Sequence, residues 1–425
     1  MIFKGFAIAV LSLITATGSS PVKLIIDTDL GFDVDDVGAI SVGHYLQDIG
    51  ACEIVAILHN TGFPKGIGGV DVLQNYYNSS ATLGAYTGPW GSSDAALSAQ
   101  DSYTSLIESE FPSDVKTYND VNSAVDSYRR ALESQADHSV VIASIGELTN
   151  LRDIIKAEPA LFAQKVKSIY YMDGGYNFGC GDSDGSEWSP WLGSTEDCDG
   201  AAQFVVENVP TTIKQVFTLN GADIYTGSRF NDGCGSGPVK AAYQKWTNYG
   251  SRPSWDPITI WYAVYGESSL YSTAHAETTT VDYYGHEVYD TSDTSNNMYQ
   301  TWIDSTRKGD VTKILDDAMC SAPCLGGKAG ACSGYELNSM KNCWGDRGDG
   351  SGSHGATDLE SPSDSSAGVM TLSACMNLCD ETLNCEGVSV SFADGGSGLV
   401  NCFRKGSIDI NDCDEYFPID TWVKK

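Results

Sequence analysis

The stretch "LIIDTDLGFDVDDVGAI", residues 24 to 40, sets five aspartates (Asp27, Asp29, Asp33, Asp35 and Asp36) within ten positions, directly behind a run of aliphatic residues. The apolar run belongs to "VKLIID" (22–27), and similar β-branched runs recur as "CEIVAILHN" (52–60), "HSVVIASIG" (138–146), "VKSIYYMDGG" (166–175) and "TTIKQVFTL" (211–219). Longer segments with helical spacing, such as "DVNSAVDSYRRALESQA" (120–136), separate them. Near-continuous apolar strands alternating with helices predict an α/β fold, a mostly parallel open sheet with helices on both faces. In such folds the ligand site lies outside the carboxyl ends of the strands. The acidic stretch follows the first strand at such an end, as do His59-Asn60, Gly146 to Asn150 and Met172 to Tyr176.

That placement decides how the aspartates are read. Asp27 and Asp29 stand at a strand end, and Asp35-Asp36 open the next helix, where "VGAI" begins an apolar face. A helix N-terminus favours a carboxylate by only about 0.3–1 kcal/mol. Carboxylates a few ångströms apart raise one another's pKa. Such a group either stays partly protonated or holds a cation, and the cation is the preferred reading. The donors are all oxygens, there is no HExxH and no paired CxxC, and only six histidines are scattered along 425 residues. Hard oxygen ligands point to calcium or magnesium rather than zinc. An EF-hand loop is excluded, because Gly31 and Phe32 occupy its third ligand and glycine positions and Gly38 stands where its bidentate Glu belongs. The rest of the metal site must come from elsewhere in the chain.

Composition bounds the partners. The chain has 56 acidic against 25 basic residues, a formal net charge of -31, which argues against nucleic acid and anionic membrane as partners. Residues 1–18 read as a secretory signal peptide: Lys4, the apolar core "FAIAVLSLI", then Ala16-Thr17-Gly18 at a plausible cleavage point. The apolar run is too short to span a bilayer. Thirteen cysteines in an exported chain predict mostly disulfides, with at least one left unpaired in a monomer. Asn78-Ser79-Ser80 is a glycosylation sequon consistent with a secreted, extracellular protein. Nine cysteines fall between Cys320 and Cys413, around a Gly/Ser/Asp-rich stretch at 345–368. The expected organisation is therefore a signal peptide (1–18), a catalytic domain (19–319), a cysteine-containing connector (320–342) and a small disulfide-rich module (343–425). The Arg347-Gly348-Asp349 tripeptide is too short to carry weight as an adhesion motif.

The motif "DTDLGFDVDD", with Ala39-Ile40 behind it, resembles the signature of the inosine–uridine-preferring nucleoside hydrolases, in a variant two residues longer before the paired aspartates. "IGELTN" (145–150) is similar to the family's Gly-Pro-Leu-Thr-Asn turn, with Glu147 in place of proline. "YYMDGGY" (170–176) resembles its Met-Gly-Gly segment, and "SWDP" (254–257) sits where the family carries a late His-Asp-Pro or similar sequence. These landmarks come in the family's order over residues 21 to 315. The resemblance implies calcium held by Asp29, Asp36 and Asp256 with the backbone carbonyl of Ile145. It further implies Asp29 as general base toward a water whose pKa the cation lowers. Asp35 would accept a hydrogen bond from a ribose hydroxyl, and Asn60 and Asp256 would also face the substrate. Asn60 has a second reading, as a turn residue before Thr61-Gly62.

Departures from the pattern are equally informative. Glu187-Trp188-Ser189 is the nearest match to a sugar-gripping Glu-Phe-Asn, with Ser189 replacing Asn, inside an insertion bracketed by Cys180 and Cys198, which are expected to pair. Where some members place a leaving-group histidine, this chain has Trp255, which can stack on a base but cannot protonate it. Asp33 reads as a supporting carboxylate behind the ligands. In the C-terminal piece, "TLSACMNLC" reads as a helix with Leu372, Cys375, Met376 and Cys379 on one face, followed by strands in "CEGVSVSFA" and "LVNCFRK". That pattern is similar to a PAN/apple-like module, a small α+β unit whose relatives bind protein or carbohydrate. The function implied is a secreted, calcium-dependent N-glycosidase acting on nucleosides or related ribosides, with residues 19–319 sufficient for activity. The rival is a non-catalytic or non-nucleoside ribose-type sugar binder targeted by its C-terminal module.

Overall fold

The computed structural model describes residues 20–31, 33–89, 103–172, 200–218, 220–266, 272–283, 285, 287–324, 332, 334–338, 341–345, 353–360, 365–392, 399–414 and 419–425. A nine-stranded sheet organises the large domain. Its strands are β1 (Val22–Thr28), β2 (Cys52–His59), β3 (Thr82–Ala85), β4 (Asn122–Ser123), β5 (Val140–Ile145), β6 (Val166–Met172), β7 (Lys214–Thr218), β8 (Ser272–Ala276) and β9 (Met298–Ile303). In space they run β8-β9-β7-β6-β5-β1-β2-β3-β4. Every pairing is parallel except β8 with β9 at one edge. The predicted α/β class with a mostly parallel open sheet is therefore what the chain adopts.

Period-two alternation feeds two cores, one on each face. Leu24 and Ile26 of β1, Val141, Ala143 and Ile145 of β5, and Tyr170 and Met172 of β6 pack on one side. Ile25, Val140, Ile142, Ile169 and Tyr171 pack on the other, against Tyr128, Leu132, Leu151 and Ile154 of flanking helices. The segment expected to be helical over 120–136 forms a helix from Ala124 to Glu133, started by Ser123, whose hydroxyl accepts the Asp126 N–H at 3.2 Å. Helix α1 (Asp35–Asp48) buries 13 of its 14 residues, so "VGAI" opens an element enclosed all round rather than one with a single apolar face. It packs beside α2 (Trp255–Tyr265) in the first core.

The chain moves outward from β1 through β2, β3 and β4, then returns to place β5 on the other side of β1. This reversal is the topological switch point of an open α/β sheet, where a crevice opens at the strands' carboxyl ends. Register puts those ends level, with Thr28 opposite both His59 and Ile145.

The cysteine-rich region builds its own antiparallel sheet, in the order Tyr335–Asn338, Ile419–Lys424, Gly387–Phe392, Leu399–Gly406 and Thr357–Asp358, with Gly368–Thr371 also on Leu399–Gly406. Helix Leu372–Asp380 buries the four residues expected, Leu372, Cys375, Met376 and Cys379. Disulfides Cys343–Cys413, Cys375–Cys402 and Cys379–Cys385 staple this unit. Upstream, Cys324 pairs with Cys332 and Cys234 with Cys320. Cys52 is buried and free, and Cys180 and Cys198 lie outside the described residues. No helix among the described residues is long and apolar enough to cross a membrane.

Candidate active site

Three chain segments bring carboxylates to the switch point. Asp29 follows β1, Asp35 and Asp36 begin α1, and Asp256 sits in the first turn of α2. One carboxylate oxygen from each of Asp35, Asp36 and Asp256 can be chosen so that all lie within 4.8 Å of one another. These side chains are only 2, 1 and 3 % exposed, so the cluster is inside the protein rather than on a solvated surface. The Asp256 N–H donates to Asp35 Oδ2 at 3.3 Å, joining the two helix starts.

Local chemistry explains the loop between β1 and α1. The Thr28 hydroxyl donates to Asp36 Oδ1 and accepts the Leu30 N–H at 3.2 Å, tying strand end, turn and helix start together. Gly31 takes φ +131°, and a Cβ there would meet the Phe63 ring at 2.7 Å, so only glycine fits this turn. Asp33 accepts the Arg252 guanidinium through both carboxylate oxygens, with Nε at 3.0 and 2.8 Å and Nη2 closer still. Arg252 also lies 5.1 Å from the centroid of Trp255, so the loop carboxylate, the cation and the indole form one stack.

Asp27, fully buried beneath the cluster, accepts Tyr128 Oη at 2.6 Å and Asn150 Nδ2 at 2.9 Å. Burial nevertheless pushes it up to about 7, against the pull of those hydrogen bonds. Asp29 is likewise pushed up to about 7, by burial first and by the Asp33 and Asp27 charges next, against hydrogen bonding to its own backbone N–H and to Asp36. Asp35, Asp36 and Asp256 are raised well above the ordinary carboxylate range, through burial first and then repulsion from neighbouring aspartates, led by Asp33 for Asp35, Asp29 for Asp36 and Asp35 for Asp256.

These groups fit a hard divalent cation. Asp29 Oδ2 and Asp256 Oδ1 are buried without a hydrogen-bond partner. Nature rarely leaves such atoms unsatisfied, and an all-oxygen set of buried carboxylates suits calcium or magnesium. A further sign is Gly146, where a Cβ would stand 2.7 Å from both the Asp29 N and Oδ1 and 2.8 Å from Asn60 Nδ2. Gly146→Ala is therefore expected to cost about 1–3 kcal/mol through overpacking, and to weaken cation binding by displacing Asp29. Thermal melts and a calorimetric cation titration check both effects.

Of the residues singled out in the sequence, Asp35, Asp36 and Asp256 come together, with Asp35, read above as the sugar contact, inside the trio. Asp29 lies beside the trio but outside it. Ile145 closes β5 opposite Thr28, at the same sheet end. Asn60 is fully buried there, its N–H donating to Thr28 O at 2.9 Å and its carbonyl accepting the Thr149 hydroxyl at 2.5 Å. Trp255 opens α2, half-buried. Glu187 and Ser189 lie outside the described residues. Sequence reasoning missed Arg252, Tyr128 and the grip of Asn150 on Asp27. Asn150 was visible within "IGELTN", whereas nothing local marks the other two.

No protein-family model and no curated protein sequence matches the chain. Solved structures do. A plant nucleoside hydrolase is similar at TM-score 0.53 with 16% identity, over 71% of this chain and 99% of its own. The purine-preferring ribonucleoside hydrolase from Gardnerella vaginalis is similar at TM-score 0.50 with 18% identity, over 70% and 100%. The type III effector XopQ, solved with adenosine diphosphate ribose, is similar at TM-score 0.53 with 14% identity, over 72% and 95%. The large domain thus has a nucleoside hydrolase-like fold, and its carboxylate cluster occupies that fold's switch point.

Proposed function

We propose that the chain is a secreted, calcium-dependent N-glycosidase that hydrolyses nucleosides or related ribosides to free base and ribose. The observation that carries this reading is the buried trio Asp35, Asp36 and Asp256 at the switch point of a nucleoside hydrolase-like sheet. Asp29, Asp36, Asp256 and the Ile145 carbonyl would hold the cation, with Asp35 at its edge facing the sugar. Bound there, calcium would lower the pKa of a coordinated water and offset the carboxylates' repulsion.

The chain's own residues supply the rest. Asp29 takes a proton from the water that attacks C1′. As the new C1′–O bond forms, the C1′–N bond breaks, and the base leaves with the bonding electrons and takes a proton from solvent, while Asp29 later returns the water's proton to solvent. The sugar passes through an oxocarbenium-like transition state, and the surrounding carboxylates stabilise its positive charge. Asp35 accepts a hydrogen bond from a ribose hydroxyl, and Asn60 meets the remaining sugar edge, a role the family resemblance also gives Glu187 and Ser189. Trp255 offers the base a stacking face. Arg252, gripped by Asp33, lies over that indole. The five disulfides among the described residues favour an oxidising, extracellular setting. The stapled C-terminal unit, read as PAN/apple-like, would add a protein- or carbohydrate-binding surface.

The test is a nucleoside panel assayed for free base and reducing sugar, with and without chelator. Release that stops on chelation and returns with calcium is the expected result. The likeness to XopQ with adenosine diphosphate ribose favours one other reading, a ribose-type sugar binder that does not cleave nucleosides. Saturable binding of ribosides by the calcium-loaded protein, with no release from any of them, would establish that reading instead.

A further inference from the structure

The last turn of α1 holds a residue that its own helix disfavours. The final four carbonyls of a helix lack intrahelical donors. Three of them are met by the turn that follows, through Ile49 N to Tyr45 O at 3.1 Å, Ala51 N to Leu46 O at 2.9 Å and Gly50 N to Gln47 O at 2.9 Å. The fourth, on Asp48, is met from far along the chain by Cys332 N at 2.6 Å. The Asp48 side chain sits at the negative end of the helix dipole, where a carboxylate is unfavourable. It is also buried, which pushes its pKa up to about 7. Its Oδ2 accepts one donor, the Cys324 N–H at 2.9 Å. A residue that breaks local rules twice has its explanation in a contact beyond its own element.

Both donors belong to one disulfide, Cys324–Cys332, which holds the two amides on the same aspartate. Beside them Tyr45 and Ile49 of α1 pack against the cluster of Ala322, Tyr335, Leu372, Met376 and Trp422 in the cysteine-rich region.

We propose that Asp48 and the Cys324–Cys332 pair form a latch that docks the C-terminal module onto the hydrolase-like domain, making the two one folding unit rather than a catalytic domain trailing an independent binder. The same contacts move the functional boundary past residue 319. A chain ending there loses Cys320, which is buried in the large domain's core and bonded to Cys234. It also uncovers Tyr45 and Ile49 and strips Asp48 of both donors. The latch anchors the same helix that presents Asp35 and Asp36, about 18–20 Å away at 1.5 Å rise per residue.

The test uses the full chain. Wild-type protein is expected to melt in one transition, and its Tyr335–Asn338 strand and the last turn of α1 to be protected together in hydrogen exchange. Asp48→Ala is expected to speed exchange in both segments at least tenfold and to split the melt in two. Asp48→Asn keeps an oxygen acceptor and the side-chain volume, and is expected to stay docked, which separates loss of the acceptor from loss of packing. Should Asp48→Ala fail to fold, the Cys324→Ser/Cys332→Ser double variant frees the two amides without removing them and is expected to show the same loss of protection. Two transitions in the wild type, or wild-type melting and exchange in either latch variant, would overturn the proposal.

Discussion

Asp29→Asn is expected to lower turnover about 100-fold or more at saturating calcium, the scale of losing general-base catalysis, while the protein still folds and binds the cation. The substitution keeps the side chain's shape and one oxygen but removes the basic carboxylate. Asp29 is the carboxylate of the site that stands beside the Asp35, Asp36 and Asp256 trio rather than within it, and its Oδ2 has no hydrogen-bond partner. Burial raises its pKa to about 7 in the metal-free protein, and a cation bound beside it would lower that value and keep the carboxylate ionised, ready to accept a proton. Asp36→Ala is the contrasting variant. It removes a member of the trio, so its first effect should be weaker calcium affinity, and added calcium should recover part of its activity. Steady-state rates across a calcium titration separate the two patterns. Near-normal turnover in Asp29→Asn with calcium bound would mean that another group takes the proton from water.

The parts of this site that the sequence revealed are those written in local pattern. The near-continuous apolar runs in "VKLIID" and "VVIASI" mark strands buried on both faces, and an acidic run behind such a strand marks a carboxyl-end crevice. Asp256 could be placed only through the "SWDP" motif, because no periodicity links it to residues 220 positions earlier. What stayed hidden was tertiary pairing. Arg252 and Asp33 are 219 residues apart, and Tyr128 reaches Asp27 across 101. The edge strand β8, "STAHA", carries too little apolar character to announce itself, and β9, "MYQTWI", lies between β8 and β7 and is held by pairing with both. The cysteine count located a stapled C-terminal unit. It could not show that Cys320 closes a helix of the large domain and bonds to Cys234, since connectivity is not encoded in spacing.

Removing the cation is expected to invert the ordinary effect of pH on stability. Asp27 and Asp29 have folded-state values near 7, and Asp35, Asp36 and Asp256 are raised well above the usual range. Unfolded aspartate titrates near 4. Between those values the folded, metal-free protein binds more protons than the unfolded chain, so stability falls as pH rises from about 4 toward 7. Chelated protein should therefore melt at a higher temperature at pH 5 than at pH 8. Calcium needs the carboxylates deprotonated, so its affinity rises over the same range. A ligand at 100 times its dissociation constant adds about 2.7 kcal/mol to folding stability, and that gain should be larger at pH 8 than at pH 5. Calorimetric melts at both pH values, with calcium and with chelator, measure the four quantities needed. A calcium-induced rise that is equal at the two pH values would mean that the ion binds away from these buried carboxylates. No rise at either would mean that the aspartates share protons instead of a metal.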